Sequence, residues 1–310
     1  MKPRKKIKII GVGGSGSNTI ARMKKKHMTG VELIAVNTDV QDLRAKSADR
    51  KIQIGPMITK GLGAGMDPSL GQSAAEESKK VLEKAITGAD IIFLACGLGG
   101  GSGTGATPVI ARLAKEMGIL TVAAVTMPFS FEGEQRMKIA SIGLEKLRPE
   151  VDTLLIVPND KLLELANDKT SLVNAFALCD QVLNNAIQSI TDLIVADGEI
   201  NIDFADLRTL IKKAGSAMFS IGSAKGKNRA TGAIKAALNS PLSNFSLEGA
   251  KAVLLNIATS GDLKLAEVRM ITQWVRQAIK PSVTLIFGTS VDPSLKPKAM
   301  RVTIIATGVN

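Results

Sequence analysis

Hydrophobic and polar positions follow a regular pattern along the first half of the chain, where short apolar segments are separated by stretches of helical periodicity. Each apolar segment is rich in Ile, Val and Leu and is followed by a turn signal. Such segments are typical of strands in a parallel sheet whose two faces are covered by crossover helices. We therefore predict an α/β doubly wound domain. The predicted strands are 7–12, 32–36, 91–95, 120–125 and 153–157.

A single long helix is predicted after this sheet. Between positions 171 and 194, apolar residues recur at intervals of three and four, which is the spacing of one buried helix face. Phe176 and Cys179 lie on this face, and the pattern alone makes both of them core residues.

The pattern changes after position 195, where we predict a smaller α+β domain. A short helix at 204–213 is followed by a segment at 215–226 that is rich in Gly, Ala and Ser. The remaining predicted elements are apolar runs at 252–257, 283–286 and 302–306 and a helix at 264–279. The chain is thus expected to divide into 1–170, a central helix at 171–194, and 195–310.

Composition excludes several classes of protein. No stretch approaches about 18 uncharged apolar residues, so no membrane span is predicted, and the basic start reads as a strand and not as a signal peptide. We therefore expect a cytoplasmic protein. Cys96 and Cys179 are too few for a disulfide framework. With His27 as the single histidine, neither a Cys/His metal cluster nor catalysis by a histidine base is supported.

The net charge of +12 raises the question of nucleic-acid binding, because basic surfaces attract phosphate backbones. However, the chain contains no tyrosine and one tryptophan, Trp274, which leaves little aromatic surface on which bases could stack. We therefore expect no specific nucleic-acid partner, and instead a loose, salt-sensitive attraction to anionic surfaces.

The first glycine-rich segment, GVGGSGSN at 11–18, follows the first predicted strand and leads into a helix. It contains the pattern G-x-G-x-x-G, which lets main-chain N–H groups approach a phosphate at a helix N-terminus. This motif also fits a dinucleotide-binding oxidoreductase, because Asp39 ends the second strand near the position of a ribose-binding acid. Alone, it does not decide between the two.

The second glycine-rich segment, CGLGGGSGTG at 96–105, follows the strand at 91–95 and precedes a helix expected to begin near Pro108. A dinucleotide fold has no need of a second arch, whereas two arches at one sheet edge suit a polyphosphate. Because a strand and a helix flank the segment directly, we do not interpret it as a flexible linker. No Walker-type lysine motif is present, so backbone dipoles, a metal ion and an arginine such as Arg136 would have to offset the phosphate charge.

At these residues the chain resembles the FtsZ family, the bacterial branch of the tubulin superfamily. GGGSGTG at 99–105 is similar to the superfamily signature. The similarity continues through NTD at 37–39, GLGAG at 61–65, PFSFEG at 128–133, VPND at 157–160, NIDFAD at 201–206 and RVTIIATG at 301–308. Each glycine motif is weak evidence alone, but their ordered combination along essentially the whole chain is specific.

The resemblance implies a GTP-binding domain at 1–170, followed by the central helix and by a C-terminal domain that activates hydrolysis and supports polymerisation. It also implies that Phe176 stacks on the guanine base and that Asp180 accepts hydrogen bonds from its edge, which would reject adenine. Glu132 and Arg136 would lie near the ribose and the γ-phosphate. The implied residues around GTP or GDP are Gly13, Gly14, Ser15, Asn18, Asn37, Asp39, Ala64, Gly65, Gly97, Gly100, Gly101, Ser102, Gly103, Thr104, Pro128, Glu132, Arg136, Asn159, Phe176 and Asp180.

The catalytic residues implied by the resemblance are Asp203 and Asp206, with Asn201 in the same loop. In FtsZ-like proteins these carboxylates act on GTP held by the neighbouring subunit, with Mg²⁺ on the phosphates spreading the developing charge. The residue pattern also allows a simpler role for Asp203, as the cap of the helix that begins near Phe204. The two roles are compatible.

Assembly is the third implication of the resemblance. A head-to-tail contact between copies does not close and therefore forms a filament, and GTP hydrolysis should rise with protein concentration. The implied role is bacterial cell division at the division site of the cytoplasm. Membrane adaptors are expected partners if the chain carries the C-terminal tail usual in the family.

Some positions depart from the family pattern: Ser102 stands where threonine is commoner, Gln181 where an acid is frequent, and Met127 where lysine is often seen. The strong basic charge is also unusual in a family whose members are mostly acidic. Two alternatives stay open, a nucleotide-binding filament or scaffold protein with little hydrolysis and an NAD-dependent oxidoreductase. The intact Asp203 and Asp206 argue against the first, and the second glycine arch argues against the other.

Overall fold

The structure, a computed structural model, divides into two compact units, Met1–Ile187 and Gln188–Asn310. It describes residues 5–25, 30–164, 170–195, 200, 202–241 and 247–308. The domain limits predicted from the sequence, at 170 and 194, stay predictions.

The first unit contains a sheet of parallel strands in the order β3-β2-β1-β4-β5-β6. The predicted parallel sheet is therefore confirmed, with a short additional strand, β3, at one edge. In the register of the central strands, Ile10 pairs with Ile34 on one side and with Leu94 on the other. The strands are β1 Ile7–Val12, β2 Val31–Asn37, β3 Arg50–Gln53, β4 Ile91–Gly97, β5 Leu120–Met127 and β6 Thr153–Pro158.

Helices connect these strands and cover the sheet. One core cluster joins apolar side chains of the sheet to those of four helices, among them Leu82, Ile110 and Leu147, all at most 1% exposed. The helices of the first unit are α1 Gly13–Lys24, α2 Val40–Ala45, α3 Pro56–Thr59, α4 Pro68–Glu77, α5 Lys79–Ile86, α6 Gly101–Glu116, α7 Glu134–Leu147 and α8 Asn159–Leu163.

The start of α6 differs from the prediction. The helix begins at Gly101 and contains Pro108 in its interior, so the expected start near Pro108 was wrong. Glycine disfavours helix, but packing overrides that preference here. A Cβ placed on Gly101 would lie 2.7 Å from Ala64, and one on Gly105 would lie 2.0 Å from the Pro68 carbonyl oxygen. The second glycine-rich segment is therefore mainly the first turns of a helix and not an open loop.

The long predicted helix is confirmed as α9, Leu172–Val195. Cys179 on this helix is 4% exposed and Ile187 is fully buried, as the periodicity predicts. Phe176, in contrast, is 38% exposed although it belongs to the same apolar stripe. In the described parts of the chain, no helix has both the length and the apolar character required to cross a membrane.

The second unit has a four-stranded sheet in the order β7-β10-β8-β9. Strand β10 runs antiparallel to β7 and β8, whereas β8 and β9 are parallel, so the expected α+β character is confirmed. Its elements are α10 Phe204–Ile211, β7 Gly215–Lys225, α11 Arg229–Leu238, β8 Ala252–Thr259, α12 Leu265–Ala278, β9 Thr284–Val291 and β10 Ala299–Thr307.

Strand β7 and helix α11 were not predicted from the sequence. The residues of β7 are mostly Gly, Ala and Ser because α11 lies directly against them. A Cβ on Gly222 would lie 2.1 Å from the carbonyl oxygen of Ala233 in α11. Small side chains on this strand therefore reflect close packing and not a flexible connection.

Candidate functional site

A cleft of about 230 Å³ opens at the carboxyl ends of strands in the first unit. Parallel strands bring the segments that follow them to one edge of a sheet, which is where ligands bind in such folds. Here those segments come after β1, β4, β5 and β6, and α9 closes the side. The predicted residues that line the cleft are Gly13, Gly14, Ser15, Gly97, Gly100, Gly101, Ser102, Gly103, Pro128, Glu132, Arg136, Asn159, Phe176 and Asp180.

Two helix N-termini meet in this cleft, those of α1 and α6. Neither helix has a side-chain cap or an acidic residue in its first turn, so their first N–H groups are not neutralised by a side chain of their own helix. The helices touch at Gly13, where an added Cβ would lie 2.9 Å from the Gly103 nitrogen. Because the N-terminus of a helix carries positive partial charge, the paired ends form a site for an anion.

The glycines around the cleft serve two different purposes. Gly97 and Gly103 are packing positions, since a Cβ on either would come within 2.9 Å of Ser15 or of the Gly97 carbonyl oxygen respectively. Gly100 faces open space, with no atom within 4 Å of its hypothetical Cβ. Close packing thus brings the two helix ends together, while the backbone at Gly100 stays accessible to a ligand.

Two buried polar atoms in the cleft lack a hydrogen-bond partner among the described residues. They are Nε of Arg136 and Oδ1 of Asn159, whose residue is 5% exposed. Leaving such an atom unpaired costs about 1–3 kcal/mol, and native structures rarely tolerate it without a reason. The cleft therefore offers one donor and one acceptor to a bound molecule.

Glu132 positions Arg136 at the cleft. One carboxylate oxygen accepts the Phe129 N–H at 2.8 Å, and the other lies 3.1 Å from Nη1 of Arg136. The carboxylate therefore ties the loop after β5 to the first turn of α7. It also holds the guanidinium in place without using its Nε.

An aromatic group forms one wall of the cleft. The Phe176 and Phe129 rings form a T-shaped pair, with their centroids 5.4 Å apart. Phe131 stacks on Phe129, with a centroid distance of 4.8 Å. Phe176 is also 38% exposed, so part of its ring can contact a flat apolar group such as a base.

Asp180 lies one turn after Phe176 and is 7% exposed. Burial raises the pKa of its carboxyl to about 6, although the Arg22 guanidinium and the Ser15 hydroxyl favour the ionised form. Nε of Arg22 lies 3.4 Å from a carboxylate oxygen. The cleft thus contains a carboxylate that is mostly ionised at neutral pH and can accept hydrogen bonds.

Several other predicted residues lie behind the lining. Thr104 accepts the buried Gly99 N–H at 2.9 Å through its hydroxyl and so fixes the turn before α6. The hydroxyl of Ser102, which does line the cleft, is 2.7 Å from that of Thr38. Ala64 is buried against Gly101. These contacts hold the start of α6 in position at the cleft.

The remaining predicted residues of the first unit are not among those that line the cleft. The Asn37 amide donates to Asp42 at 2.9 Å. Asp39 caps α2, accepting the N–H groups of Gln41 and Asp42. Asn18 is half-buried on α1, and Gly65 has a φ of 53°. Their assignment to nucleotide binding stays a prediction.

The predicted catalytic residues belong to the second unit. Asp203 caps α10, with its carboxylate accepting the Ala205 N–H at 3.0 Å, so the simpler role expected for it is present. Asp206 lies exposed in the first turn of the same helix. Asn201 lies outside the described residues. The catalytic role of all three stays a prediction.

Four lining residues were missed in the sequence: Val12, Leu98, Thr126 and Cys179. Arg22, which pairs with Asp180, was missed as well. Its position could have been a clue, because Arg22 follows Ser15 by two helical turns and lies on the same face of α1. No group of three or more His, Cys, Asp and Glu side chains able to hold a metal ion occurs among the residues that the structure describes.

Comparisons with known proteins identify the families and structures that the chain resembles. The chain matches the family model "Tubulin/FtsZ family, GTPase domain" over residues 6–167 and "FtsZ family, C-terminal domain" over 215–310. It is 42% identical to FtsZ of M. jannaschii, solved as an empty dimer, over 99% of this chain and 89% of that one, with a TM-score of 0.96. A mutant of FtsZ from M. jannaschii gives 43% identity, 99% and 92% coverage, and a TM-score of 0.95.

A more distant structure, GDP-bound CetZ1 from Haloferax volcanii, shares the fold at 22% identity, with 98% and 94% coverage and a TM-score of 0.82. The family model supports binding of GTP or GDP, and GTPase activity in general, over the oxidoreductase alternative. The chain therefore belongs to the Tubulin/FtsZ family, with the GTPase domain in its first unit and the FtsZ C-terminal domain in its second.

Proposed function

We propose that this chain is a GTPase that assembles head-to-tail and hydrolyses GTP where two copies meet. One observation carries the proposal. The cleft is built for an anion, yet both of its carboxylates are already engaged, Glu132 by Arg136 and Asp180 by Arg22. The acid that orients the attacking water must then come from elsewhere, and a second copy of the chain can supply it.

In this proposal the phosphates bind to the N–H groups at the starts of α1 and α6, and Arg136 contributes its unpaired Nε to them. The guanine base stacks on Phe176. Asp180 accepts hydrogen bonds from guanine N1–H and the exocyclic amine, a pair of donors that adenine lacks on that edge. A site built around such a pair discriminates strongly against a base without it.

Asp203 and Asp206 of the adjoining copy act as the catalytic acids. Both side chains are exposed at the start of α10, which supports a role toward a partner molecule. Mg²⁺ would spread the charge that develops on the phosphates. The cleft offers the Ser102 hydroxyl but no unengaged carboxylate, so the nucleotide's own oxygens would be its main ligands.

Assembly follows from the use of two different faces. A contact between the first unit of one copy and the second unit of the next is heterologous and produces a filament when it does not close. FtsZ of M. jannaschii, 42% identical, has been solved as a dimer, which supports self-association. We propose that the filament acts in cell division, in the cytoplasm at the division site, with membrane adaptors and anionic surfaces as further partners.

The test is to follow phosphate release and sedimentation together, with GTP and Mg²⁺, over a range of protein concentrations. The expected result is a threshold above which protein pellets and turnover per molecule rises. Asp206→Asn should still pellet but should lose about 10³-fold in turnover, as general acid–base residues do. Glu145→Gln, an exposed acid on α7, is the matched control and should behave like the unmodified chain.

Two results would contradict the proposal: a turnover per molecule that does not depend on concentration, or an Asp206→Asn variant with unchanged turnover. Pelleting with GTP but without phosphate release would instead favour the nucleotide-binding scaffold.

A further inference from the structure

A second pocket, of about 390 Å³, lies entirely within the second unit. It is formed by the end of α10, the starts of β8 and β9, and the end of β10. Three lysines line it: Lys212, Lys213 and Lys251. The one carboxylate in its lining is that of Asp206, the proposed catalytic acid.

Basic residues outnumber acidic ones in the lining of this pocket. Three lysines and a single acidic residue, Asp206, line it. In the part of the chain that the structure describes, neither Lys212 nor Lys251 forms an ion pair. Like charges held close together repel one another and attract anions. The occupant that suits the pocket is therefore an anion.

The backbone holds two of these lysines in place. The stem of Lys251 packs on Gly308, where a Cβ would lie 2.7 Å from Lys251 Cγ and Cδ. Lys213 follows the cap of α10 with a φ of 54°, a conformation in which glycine is the usual residue. The dipole of α10 favours positive charge near its end, but this does not account for the left-handed backbone or for Lys251, which directly precedes β8.

The nucleotide cleft of the first unit has no such excess of charge. Its two carboxylates are each paired with a guanidinium, Glu132 with Arg136 and Asp180 with Arg22. GTP adds about four negative charges at neutral pH. The helix ends and a metal ion offset part of this charge, and the rest is available to cations from outside the cleft.

We infer that Lys212, Lys213 and Lys251 receive the phosphates of the nucleotide held by the adjoining copy. This inference rests on the proposed function. Because Asp206 lines the same pocket, a phosphate placed for attack at Asp206 also lies within the field of the lysines. The lysines are thus positioning residues for the nucleotide across the contact, and the contact senses the charge of the nucleotide.

Two properties follow from this arrangement. GTP carries one more charged phosphate than GDP, so it should favour assembly through these lysines. Salt should weaken assembly steeply, because partly exposed charges are screened within about 8–10 Å at physiological ionic strength.

The experiment compares a triple variant, Lys212→Gln, Lys213→Gln and Lys251→Gln, with a control that loses the same charge elsewhere on the second unit. The control is Lys225→Gln, Lys227→Gln and Lys296→Gln, at exposed positions outside the pocket. Critical concentration for sedimentation is measured with GTP and with GDP, from low to high KCl. We expect the pocket variant to need about tenfold more protein than the control at low salt. Its salt dependence should be shallower and its preference for GTP over GDP smaller.

Lys213→Gly separates the effect of the lysine charge on assembly from the effect of its left-handed backbone conformation on stability. Glycine keeps the left-handed conformation, so thermal stability should not fall, whereas the critical concentration should rise about two- to threefold. The inference is wrong if the pocket variant and the control assemble alike while the unmodified chain assembles with GTP; the proposed function then stands. If the unmodified chain neither assembles nor hydrolyses GTP, the proposed function is wrong, and this inference is then wrong as well.

Discussion

Two arginines in different units of the molecule have opposite surroundings. Arg229, in the second unit, is 4% exposed. It donates through Nε, Nη1 and Nη2 to Asp262 and Glu267 at 2.7 to 2.9 Å. Arg136, in the first unit, pairs with Glu132 through Nη1, and its buried Nε has no partner among the described residues.

This difference distinguishes an arginine that stabilises the fold from one that is available to bind a ligand. A guanidinium whose donors are all satisfied by its own chain holds elements together, in this case α11 and the start of α12. A buried donor without a partner carries a cost that folding does not recover. Arg136 therefore points to a ligand-binding role, whereas Arg229 does not. The following changes test this distinction, from the largest expected effect to the smallest.

Arg229→Ala should lower the free energy of unfolding by about 3 kcal/mol, because it leaves Glu267 half-buried without its counter-charge. GTP affinity should stay the same, since unit one holds the cleft. Urea denaturation measures the first and nucleotide titration the second. Arg269→Ala, an exposed arginine on α12, should change stability by less than about 0.5 kcal/mol. Equal losses in the two variants would refute a structural role for the Arg229 pairs.

Arg136→Ala should reduce GTP affinity more than it reduces stability. We expect GTP affinity to fall about thirtyfold, or about 2 kcal/mol, because a hydrogen bond to a charged phosphate is lost. The free protein should lose less stability than it loses in Arg229→Ala. Glu132 loses its one ion pair but keeps the Phe129 N–H, and the buried unpaired Nε is removed. The control for affinity is Arg112→Ala. Arg112 lies near the C-terminal end of α6 and does not line the cleft, so GTP affinity should stay the same. A stability loss as large as that of Arg229→Ala would show that the two arginines are alike.

Asp180→Asn tests a residue that has both kinds of contact. The Asp180 carboxylate is paired with Arg22, as the Arg229 donors are paired, and it also lines the cleft, as Arg136 does. GTP affinity should drop about tenfold, and the preference for GTP over ATP should shrink, because the amide cannot accept both guanine donors. Unchanged selectivity in direct competition between the two nucleotides would remove Asp180 from base recognition.

Acidification should weaken GTP binding through the same group. The pKa of Asp180 is raised to about 6 by burial, and only the ionised carboxylate accepts both donors. Affinity should therefore fall by up to about tenfold between pH 7 and pH 5. The stability of the ligand-free protein should change in the opposite direction as Asp180 takes up its proton. Its folded state holds the proton at a pH where an unfolded aspartate has lost it, so stability rises as pH falls from about 6 to about 4.

The control for this pH dependence is Asp180→Asn, in which the decline in affinity should flatten. A decline of the same size in that variant would assign the titration to another group.

The sequence predicts the long apolar strands and α9 well, because their periodicity comes from burial. It fails where packing involves small or polar residues. Strand β3 has one buried apolar side chain, Ile52, so it has no apolar run to detect. Strand β7 consists largely of Gly, Ala and Ser because α11 lies close above it. Helix α6 begins among glycines that distant residues hold in place.

The candidate site divides in the same way. Residues that follow strand ends, such as Ser102 and Glu132, are predictable because the chain brings strand ends to one edge. Pairs between remote segments are not. The contact of Arg22 with Asp180 joins α1 to α9 across more than 150 positions, and its one local clue is that Arg22 shares a helix face with Ser15. The unpaired Nε of Arg136 is likewise a property of the folded surroundings.

The central claim is that each GTP is bound by one copy and hydrolysed with Asp206 of the next. The most direct test mixes two inactive variants: Asp206→Ala, which binds GTP, and the double variant Arg136→Ala and Asp180→Ala, which keeps Asp206. In a random mixed filament, about a quarter of the contacts join a GTP-filled cleft to an intact Asp206. Phosphate release should then recover to about that fraction of the unmodified rate. A mixture as inactive as its two components, although it co-sediments, would contradict the account.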